Sequence, residues 1–205
     1  MKKLLFLFSL VGIITLVGCK FDTSKNEKEP ETVKREFVGE LPELSIYNLP
    51  SDWTNQDGEN IQLEDLRGDI IVAVMIYTSC QAACPRLIAD MRLIHNGLSK
   101  EAQQQTKFVY VSIDPEVDTP EKMKEFAIEN EMDNDRWVFL RGTEDDTRTF
   151  ASVLGTMSYQ RISPIDFSHS NIISVFDQNG VLYHQREGLE QDGTSIIEAV
   201  EELSL

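Results

Sequence analysis

The sequence contains few cysteines, few histidines and few basic residues. Its 205 residues include three cysteines, three histidines and 19 lysines and arginines, against 35 aspartates and glutamates. The formal net charge of −16 argues against nucleic acid as a partner, because binding to phosphate backbones depends on a cationic surface. Internal repeats and low-complexity tracts are also absent from the sequence, which argues against a repeat architecture.

The apolar segment near the N-terminus is short for a membrane-spanning helix. Residues 1–3 include two lysines, residues 4–17 are almost wholly apolar, and Gly18 precedes Cys19. A basic start, a short apolar run and a small residue before the cleavage point are typical of a secretory signal. We therefore expect residues 1–18 to be a signal peptide and the protein to be exported.

The four residues that end this segment, Leu-Val-Gly-Cys, resemble the lipobox of bacterial lipoproteins, whose cysteine is lipidated and becomes the mature N-terminus. The alternative is an ordinary signal peptide followed by a chance cysteine. Lipidation of Cys19 would anchor the protein to a membrane that it does not cross, with its domain on the extracytoplasmic side. Residues 19–40 are charged and poor in apolar side chains, which predicts a flexible tether after the lipidated cysteine.

Residues 41–205 suit one domain with a single core. Short apolar runs alternate with helical periods, which predicts an α/β fold with a central, mostly parallel sheet and flanking helices. Strands are expected over residues 69–77, 107–113, 137–140, 171–176 and 181–185. Helices are expected over residues 86–98, 144–154 and 194–203, and from Thr119 onward. An Asn-Gly turn at residues 179–180 predicts an antiparallel edge hairpin, and residues 44–66 predict an N-terminal hairpin extension.

With Cys19 assigned to lipid, Cys80 and Cys84 are the two remaining thiols, in a setting where disulfides can form. They follow the strand predicted over residues 69–77, at the end where ligands and reactive groups lie in such sheets. Pro85 suits the first position of a helix, which places Cys84 at or near the N-cap. Amides at a helix start favour negative charge, so both thiols are expected to ionise more readily than a free cysteine. Three uses remain open: a structural disulfide, a redox pair and a metal site.

A metal site would need a further ligand. Two thiolates select soft ions, foremost Cu(I) and Zn(II), and imidazole is a suitable third donor. His95 lies about three helical turns from Cys84, too far to share a metal with it. His184 lies in the last predicted hairpin, where a packed or solvated role is expected. His169 lies in a polar segment, residues 166–170, that leads into the next strand and can meet the cysteine loop, which makes it the candidate third ligand.

Four stretches resemble the SCO/SenC family of thioredoxin-like proteins, which bind copper and help to assemble the copper centre of cytochrome c oxidase. These stretches are residues 77–85 (YTSCQAACP), 111–120 (VSIDPEVDTP), 168–170 (SHS) and 177–180 (DQNG). Their order and spacing agree with the family over residues 44–203, and together they are highly specific.

The resemblance implies a thioredoxin-like fold with copper, as Cu(I) or Cu(II), bound by Cys80, Cys84 and His169. It also implies a partner, either a membrane-bound cytochrome c oxidase subunit or another copper acceptor. Asp114 and Asp118 are expected near the site in turn and helix-cap roles rather than as ligands. For Asp118 in particular we expect hydrogen bonds within the loop.

Two positions depart from the family pattern. Gln81 follows the first cysteine, where family members commonly have proline, and Ser168 precedes His169, where they often have aspartate. The acidic neighbour that would orient the imidazole is therefore missing or replaced by Asp166. The three expected ligands are all present. The two departures leave open how tightly the site binds copper and whether the protein delivers that copper to an oxidase.

The leading interpretation is a metallochaperone rather than an enzyme. The alternative is a membrane-anchored thiol-disulfide oxidoreductase that reduces cysteines of a target metal site. In that case Cys80 would be the attacking catalytic thiol and Cys84 would resolve the mixed disulfide, with no need of a histidine. A peroxidase of the same fold is disfavoured, because Thr78 lies two residues before Cys80 and the peroxidase pattern requires three.

Overall fold

The computed structural model of the protein describes residues 39–80, 83–155, 159–163, 166–189 and 192–205, without the side chain of Asp166. The expected signal peptide, Cys19 and nearly all of the expected tether lie outside the described residues, so these assignments stay predictions. None of the helices within the described ranges is long and apolar enough to span a membrane.

A seven-stranded sheet forms the centre of the fold, in the spatial order β2-β1-β5-β4-β3-β8-β9. Its strands are β1 (Trp53–Asn55), β2 (Asn60–Ile61), β3 (Ile70–Ile76), β4 (Thr106–Ser112), β5 (Trp137–Arg141), β8 (Ile172–Phe176) and β9 (Leu182–Glu187). Strands β3, β4 and β5 pair in parallel, and the pairs β1–β2, β1–β5, β3–β8 and β8–β9 are antiparallel. The predicted parallel centre, antiparallel edge hairpin and N-terminal hairpin are all present.

Strand β3 lies in the middle of the core. All seven of its residues are buried, as the continuous apolar run predicts. Because successive side chains point to opposite faces of a sheet, this burial means that both faces of β3 are covered. The strand therefore holds the start of the cysteine loop, which follows it directly, on a fully packed element.

Within the described ranges, five α-helices flank the sheet: α1 (Cys84–Gly97), α2 (Lys100–Gln105), α3 (Pro120–Glu129), α4 (Glu144–Val153) and α5 (Thr194–Ser204). Local capping explains two of the starts. The Thr119 side chain accepts a hydrogen bond from the Lys122 amide at the start of α3, with Pro120 as the first helical residue. Thr143 and Asp146 form a reciprocal capping box at the start of α4.

Two features differ from the expectations. Helix α2 was not expected, although Ser99 caps it by accepting a hydrogen bond from the Ala102 amide. The segment expected as a polar loop over residues 166–170 begins with a strand, β7 (Asp166–Ser168), which pairs antiparallel with β6 (Gln160–Ser163). These two strands form a separate two-stranded sheet.

The pairing of β8 with β3 brings the two parts of the predicted site to one end of the sheet. Val74 of β3 pairs with Ile173 of β8, and the two strands run in opposite directions. The beginning of β8 therefore lies beside the carboxyl end of β3. Because His169 precedes β8 and the cysteine loop follows β3, both lie at the same end of the sheet.

Candidate metal centre

The cysteine loop leaves β3 through a turn that is fastened to the loop following β4. The Cys80 amide donates a hydrogen bond to the Tyr77 carbonyl oxygen at 3.2 Å. The Thr78 amide donates to the two carboxylate oxygens of Asp118 at 3.2 and 3.1 Å, and the Thr78 hydroxyl donates to Asp118 Oδ1 at 2.5 Å. The Ser112 hydroxyl, at the end of β4, donates to Asp118 Oδ2 at 2.6 Å. Asp118 thus joins the ends of two neighbouring strands.

These contacts confirm that Asp118 is a hydrogen-bonding residue, but the donors to its side chain lie outside its own loop, in Thr78 and at the end of β4. Its side chain is buried, and burial is the largest influence on its pKa, which is raised above its ordinary value. The hydrogen bonds from Ser112 and Thr78 act in the opposite direction, because they stabilise the carboxylate. The carboxylate therefore accepts hydrogen bonds from three donors, the amide and hydroxyl of Thr78 and the hydroxyl of Ser112.

Cys80 and Cys84 lie together at the start of α1, and neither is in a disulfide. The helix begins at Cys84, one residue earlier than the predicted N-cap position implies, and Ala83 at the N-cap has no side chain that could accept a hydrogen bond. Instead, the Cys84 amide donates to Cys80 Sγ at 3.4 Å. The Cys80 sulfur thus takes the place that a capping oxygen has in other helices, where negative charge is favoured.

The two thiols have different surroundings. Cys84 is fully buried, whereas Cys80 is half-buried. Burial raises the pKa of the Cys84 thiol far above its ordinary value, and a hydrogen bond from the Tyr77 backbone offsets only part of this effect. The expectation that both thiols ionise readily is therefore wrong for Cys84, because desolvation outweighs the influence of the helix start.

His169 follows β7 and lies beside the residue from which the cysteine loop departs. Its ring packs edge-on against the Tyr77 ring, with 6.3 Å between the centroids. His169 Nδ1 lies 3.1 Å from the Ser170 carbonyl oxygen. Since a carbonyl oxygen only accepts hydrogen bonds, Nδ1 carries the proton in the neutral ring and the lone pair is on Nε2. Nε2 is the nitrogen that this tautomer offers to a metal ion.

The structure brings the three predicted ligands to one end of the fold, but it does not assemble them into a closed site. Among the residues that it describes, no group of three or more histidine, cysteine, aspartate or glutamate side chains lies close enough to hold a metal ion. The donor types suit a soft ion, with two sulfurs adjacent and an imidazole nearby. Binding by all three would require the imidazole and the sulfurs to approach one another.

The other histidines lie elsewhere, as expected. His95, in the last turn of α1, packs against the rings of Phe108 and Trp137 with centroid distances of 5.4 and 5.3 Å. His184 lies opposite Val175 in the β8–β9 pair. Both positions agree with structural roles in the core and the edge hairpin.

Two aromatic residues of the site were not singled out by the sequence. The Tyr77 ring lies 5.1 Å from the Phe167 ring, centroid to centroid, and the Phe167 amide donates to the Tyr77 hydroxyl oxygen at 3.4 Å. These contacts connect the end of β3 with β7. The position of Tyr77 directly before the cysteine loop was visible in the sequence, but its partner on β7 lies 90 residues away.

Comparison with known proteins identifies the family. The family model described as SCO1/SenC matches residues 43–204. A protein of Bacillus subtilis described as an SCO1 protein homolog is 35% identical over 103 residues, which cover 50% of this chain and 53% of that relative. The match thus spans about half of the length of this relative.

Solved structures share the fold. A SCO1/SenC family lipoprotein from Bacillus anthracis str. Ames is 27% identical, with a TM-score of 0.69 that covers 81% of this chain and 100% of the other. Yeast Sco1 with copper bound is 19% identical, with a TM-score of 0.63, 78% of this chain covered and 88% of the other. The α/β architecture is therefore the thioredoxin-like fold, and the chain belongs to the SCO1/SenC family.

Proposed function

We propose that this protein is a copper metallochaperone in which the thiolates of Cys80 and Cys84 and the imidazole of His169 bind copper. Membership of the SCO1/SenC family supports copper as the cargo, and the fold is shared with a yeast protein whose solved structure contains copper. The observation that carries the ligand assignment is the arrangement at the end of β3. Two adjacent sulfurs follow the strand, and the His169 ring packs against Tyr77, from which the cysteine loop departs.

The surroundings of each donor fit a site that takes up and releases its cargo. The Cys84 thiol is protonated when metal is absent, because burial raises its pKa, so copper must displace a proton to bind there. His169 lies in the connection between β7 and β8, apart from the cysteine loop, so the third ligand can approach or withdraw while the sulfurs stay in place. The recipient would be the copper centre of a membrane-bound cytochrome c oxidase or another copper acceptor.

The location belongs to the same proposal. Lipidation of Cys19 would hold the domain at the extracytoplasmic face of a membrane, beside a membrane-bound acceptor. The similarity to a SCO1/SenC family lipoprotein of Bacillus anthracis supports an exported, anchored protein. The charged tether over residues 19–40 would allow the domain to move relative to the lipid surface.

Copper titration of the full chain, purified in detergent, tests the ligand set. We expect one copper ion per chain, and we expect His169→Ala to lower the affinity and change the Cu(II) absorption spectrum. His95→Ala is a matched control, because that imidazole packs against core rings away from the cysteines. If His169→Ala has the same stoichiometry, affinity and spectrum as the unsubstituted chain, the proposed site is wrong.

A thiol-disulfide oxidoreductase is the second candidate, and the contrast between the two thiols favours it. Half-buried Cys80 is more accessible to another disulfide, and buried Cys84 lies behind it in the resolving position. Under this function, Cys84→Ser would trap a mixed disulfide through Cys80, and His169→Ala would leave turnover unchanged. Absence of both turnover and a trapped partner would remove this candidate and leave the metallochaperone.

A further inference from the structure

His169 directly follows the two-stranded sheet of β6 and β7, whose strands do not pair with the seven-stranded sheet. Apart from the chain connection to β8, the position of this small sheet depends on side chains. One contact is the Tyr77–Phe167 pair described above, and a second also reaches the Phe167 ring. This second contact involves Arg161, to which neither the copper site nor the family resemblance gives a role.

Arg161 links β6 to the body of the protein through a buried carboxylate. Arg161 Nη2 lies 2.7 Å from Asp114 Oδ1, and the Asp114 side chain is only 2% exposed. Asp114 itself is fixed at the end of β4, since the preceding residue, Ile113, donates its amide to the Ile76 carbonyl oxygen of β3. A buried carboxylate strongly favours a cationic partner, because an uncompensated charge in such a place is costly. Asp114 thus specifies where Arg161 lies.

The same guanidinium group also packs on β7. Arg161 Cζ lies 4.4 Å from the centroid of the Phe167 ring, and these two residues are opposite each other in the β6–β7 pair. Phe167 in turn contacts Tyr77, and His169 follows Phe167 by two positions and contacts the same tyrosine. A continuous set of contacts therefore runs from Asp114 through Arg161 and Phe167 to the segment that bears the imidazole.

Arg148 provides an internal comparison. It lines the same cavity of about 360 Å³ as Arg161 and also lies over an aromatic ring, with its Cζ 5.2 Å from the centroid of Tyr159. Its carboxylate partner, Glu144, is however one turn earlier on the same helix, and both side chains are mostly exposed. Such an exposed ion pair contributes little to stability and connects only two residues of α4. Arg161 differs because its partner is buried and lies in the loop that follows β4 of the seven-stranded sheet.

From this geometry we infer that Arg161 is a positioning residue for His169. By pairing with Asp114 and lying on Phe167, it fixes the β6–β7 sheet so that the imidazole stays within reach of Cys80 and Cys84. This inference rests on the proposed role of His169 as a copper ligand. Its structural part, the fixing of the sheet by Arg161, can be measured without copper.

The test compares Arg161→Gln, Arg161→Lys and the control Arg148→Gln in the full chain, purified in detergent. We expect Arg161→Gln to lower the copper affinity about tenfold, as is typical when a residue that orients a ligand is lost. Hydrogen exchange of residues 160–163 and 166–169 should become faster in the metal-free protein. Arg161→Lys keeps a cation beside Asp114 and should recover most of the affinity. Arg148→Gln removes an exposed ion pair and a contact with the Tyr159 ring, and should change both measurements much less than Arg161→Gln does.

The His169→Ala background shows whether Arg161 acts through the imidazole. There, Arg161→Gln should cause no further loss of copper affinity, whereas a second loss of equal size would overturn the inference.

If the unsubstituted chain binds no copper, the proposed function fails, and hydrogen exchange still decides the positioning role. If Arg161→Gln does not fold, Arg161→Lys decides, because loss of the flat stacking alone should still make exchange of β6 and β7 faster. Exchange in β6 and β7 that is the same as in Arg148→Gln would overturn the positioning role.

Discussion

The cysteine half and the histidine half of the proposed site are built in different ways. The cysteines follow β3, which is buried along its whole length, and their loop is held by the buried carboxylate of Asp118. His169 follows β7, one of two short strands outside the main sheet, and β6 is largely exposed. One half is part of the core, and the other is attached to it by side chains and by the short connection from His169 to β8.

This difference indicates how the site can work. The ordering of the two sulfurs is completed on folding, so their contribution to copper affinity is largely preorganised. Among the described residues the imidazole does not form one ligand group with the sulfurs, so bringing it to them has to be compensated by the bond that it forms with copper. A site of this kind can change its number of ligands without disturbing the core, which suits a protein that must pass its cargo on.

The largest effect that we expect concerns the two thiols of the buried half. Burial raises the pKa of Cys84, and since the thiolate is the reactive form, Cys84 in the reduced, metal-free protein should react with iodoacetamide on the order of 1000-fold more slowly than Cys80 at pH 7. The rate at Cys84 should rise about tenfold for each pH unit as the thiolate fraction increases. Mass spectrometry of the Cys80→Ser and Cys84→Ser variants measures each rate separately.

The sign of the linked effect on stability follows from the same shift. A thiol whose pKa is higher in the folded state than in the unfolded state favours folding while it is protonated. The contribution of Cys84 to the free energy of unfolding of the reduced, metal-free protein should therefore be constant below about pH 8 and decrease above the ordinary thiol pKa of about 8.5. Equal alkylation rates for the two cysteines, or a stability that does not decrease in this range, would contradict a buried Cys84 thiol.

The sequence predicted the buried half well because its signals are local. An unbroken apolar run indicates β3, Thr119-Pro120 indicates the start of α3, and Pro85 indicates the start of α1. The expectation for His169 also succeeded in part, since the strand after it does lie beside β3. Each of these conclusions needs only a few neighbouring residues and the general rules of α/β sheets.

The other half was not predictable in this way, because distant residues determine it. The position of the β6–β7 sheet depends on two long-range contacts. Arg161 pairs with Asp114, 47 residues away, and Phe167 contacts Tyr77, 90 residues away. The pKa of Cys84 was misjudged for the same reason. A helix start is visible in the sequence, but the burial that outweighs it comes from the packing of the whole domain.

A smaller effect is expected when the fastening of the cysteine loop is removed. Asp118→Ala leaves the amide and hydroxyl of Thr78 and the hydroxyl of Ser112 without their acceptor, and we expect the free energy of unfolding to fall by about 3 kcal/mol in chemical denaturation. Asp118→Asn should cost less, because it keeps one acceptor oxygen and removes a charge that burial disfavours. Asp146→Ala is the matched control, since that aspartate also bonds to a threonine hydroxyl but is only partly buried, at a helix cap, where about 1 kcal/mol is typical.

The same variant tests whether the two halves of the site are held in place independently. In Asp118→Ala, hydrogen exchange should become faster in residues 77–80, where the carboxylate holds the loop, and should be unchanged in β6 and β7, which are held by Arg161 and Phe167. Residues 77–80 and β7 meet at the Tyr77 ring, so this is where any coupling between the halves would pass. If exchange accelerates equally in both regions, the two halves unfold as one unit, and the contrast between a fixed pair of sulfurs and an adjustable imidazole does not hold.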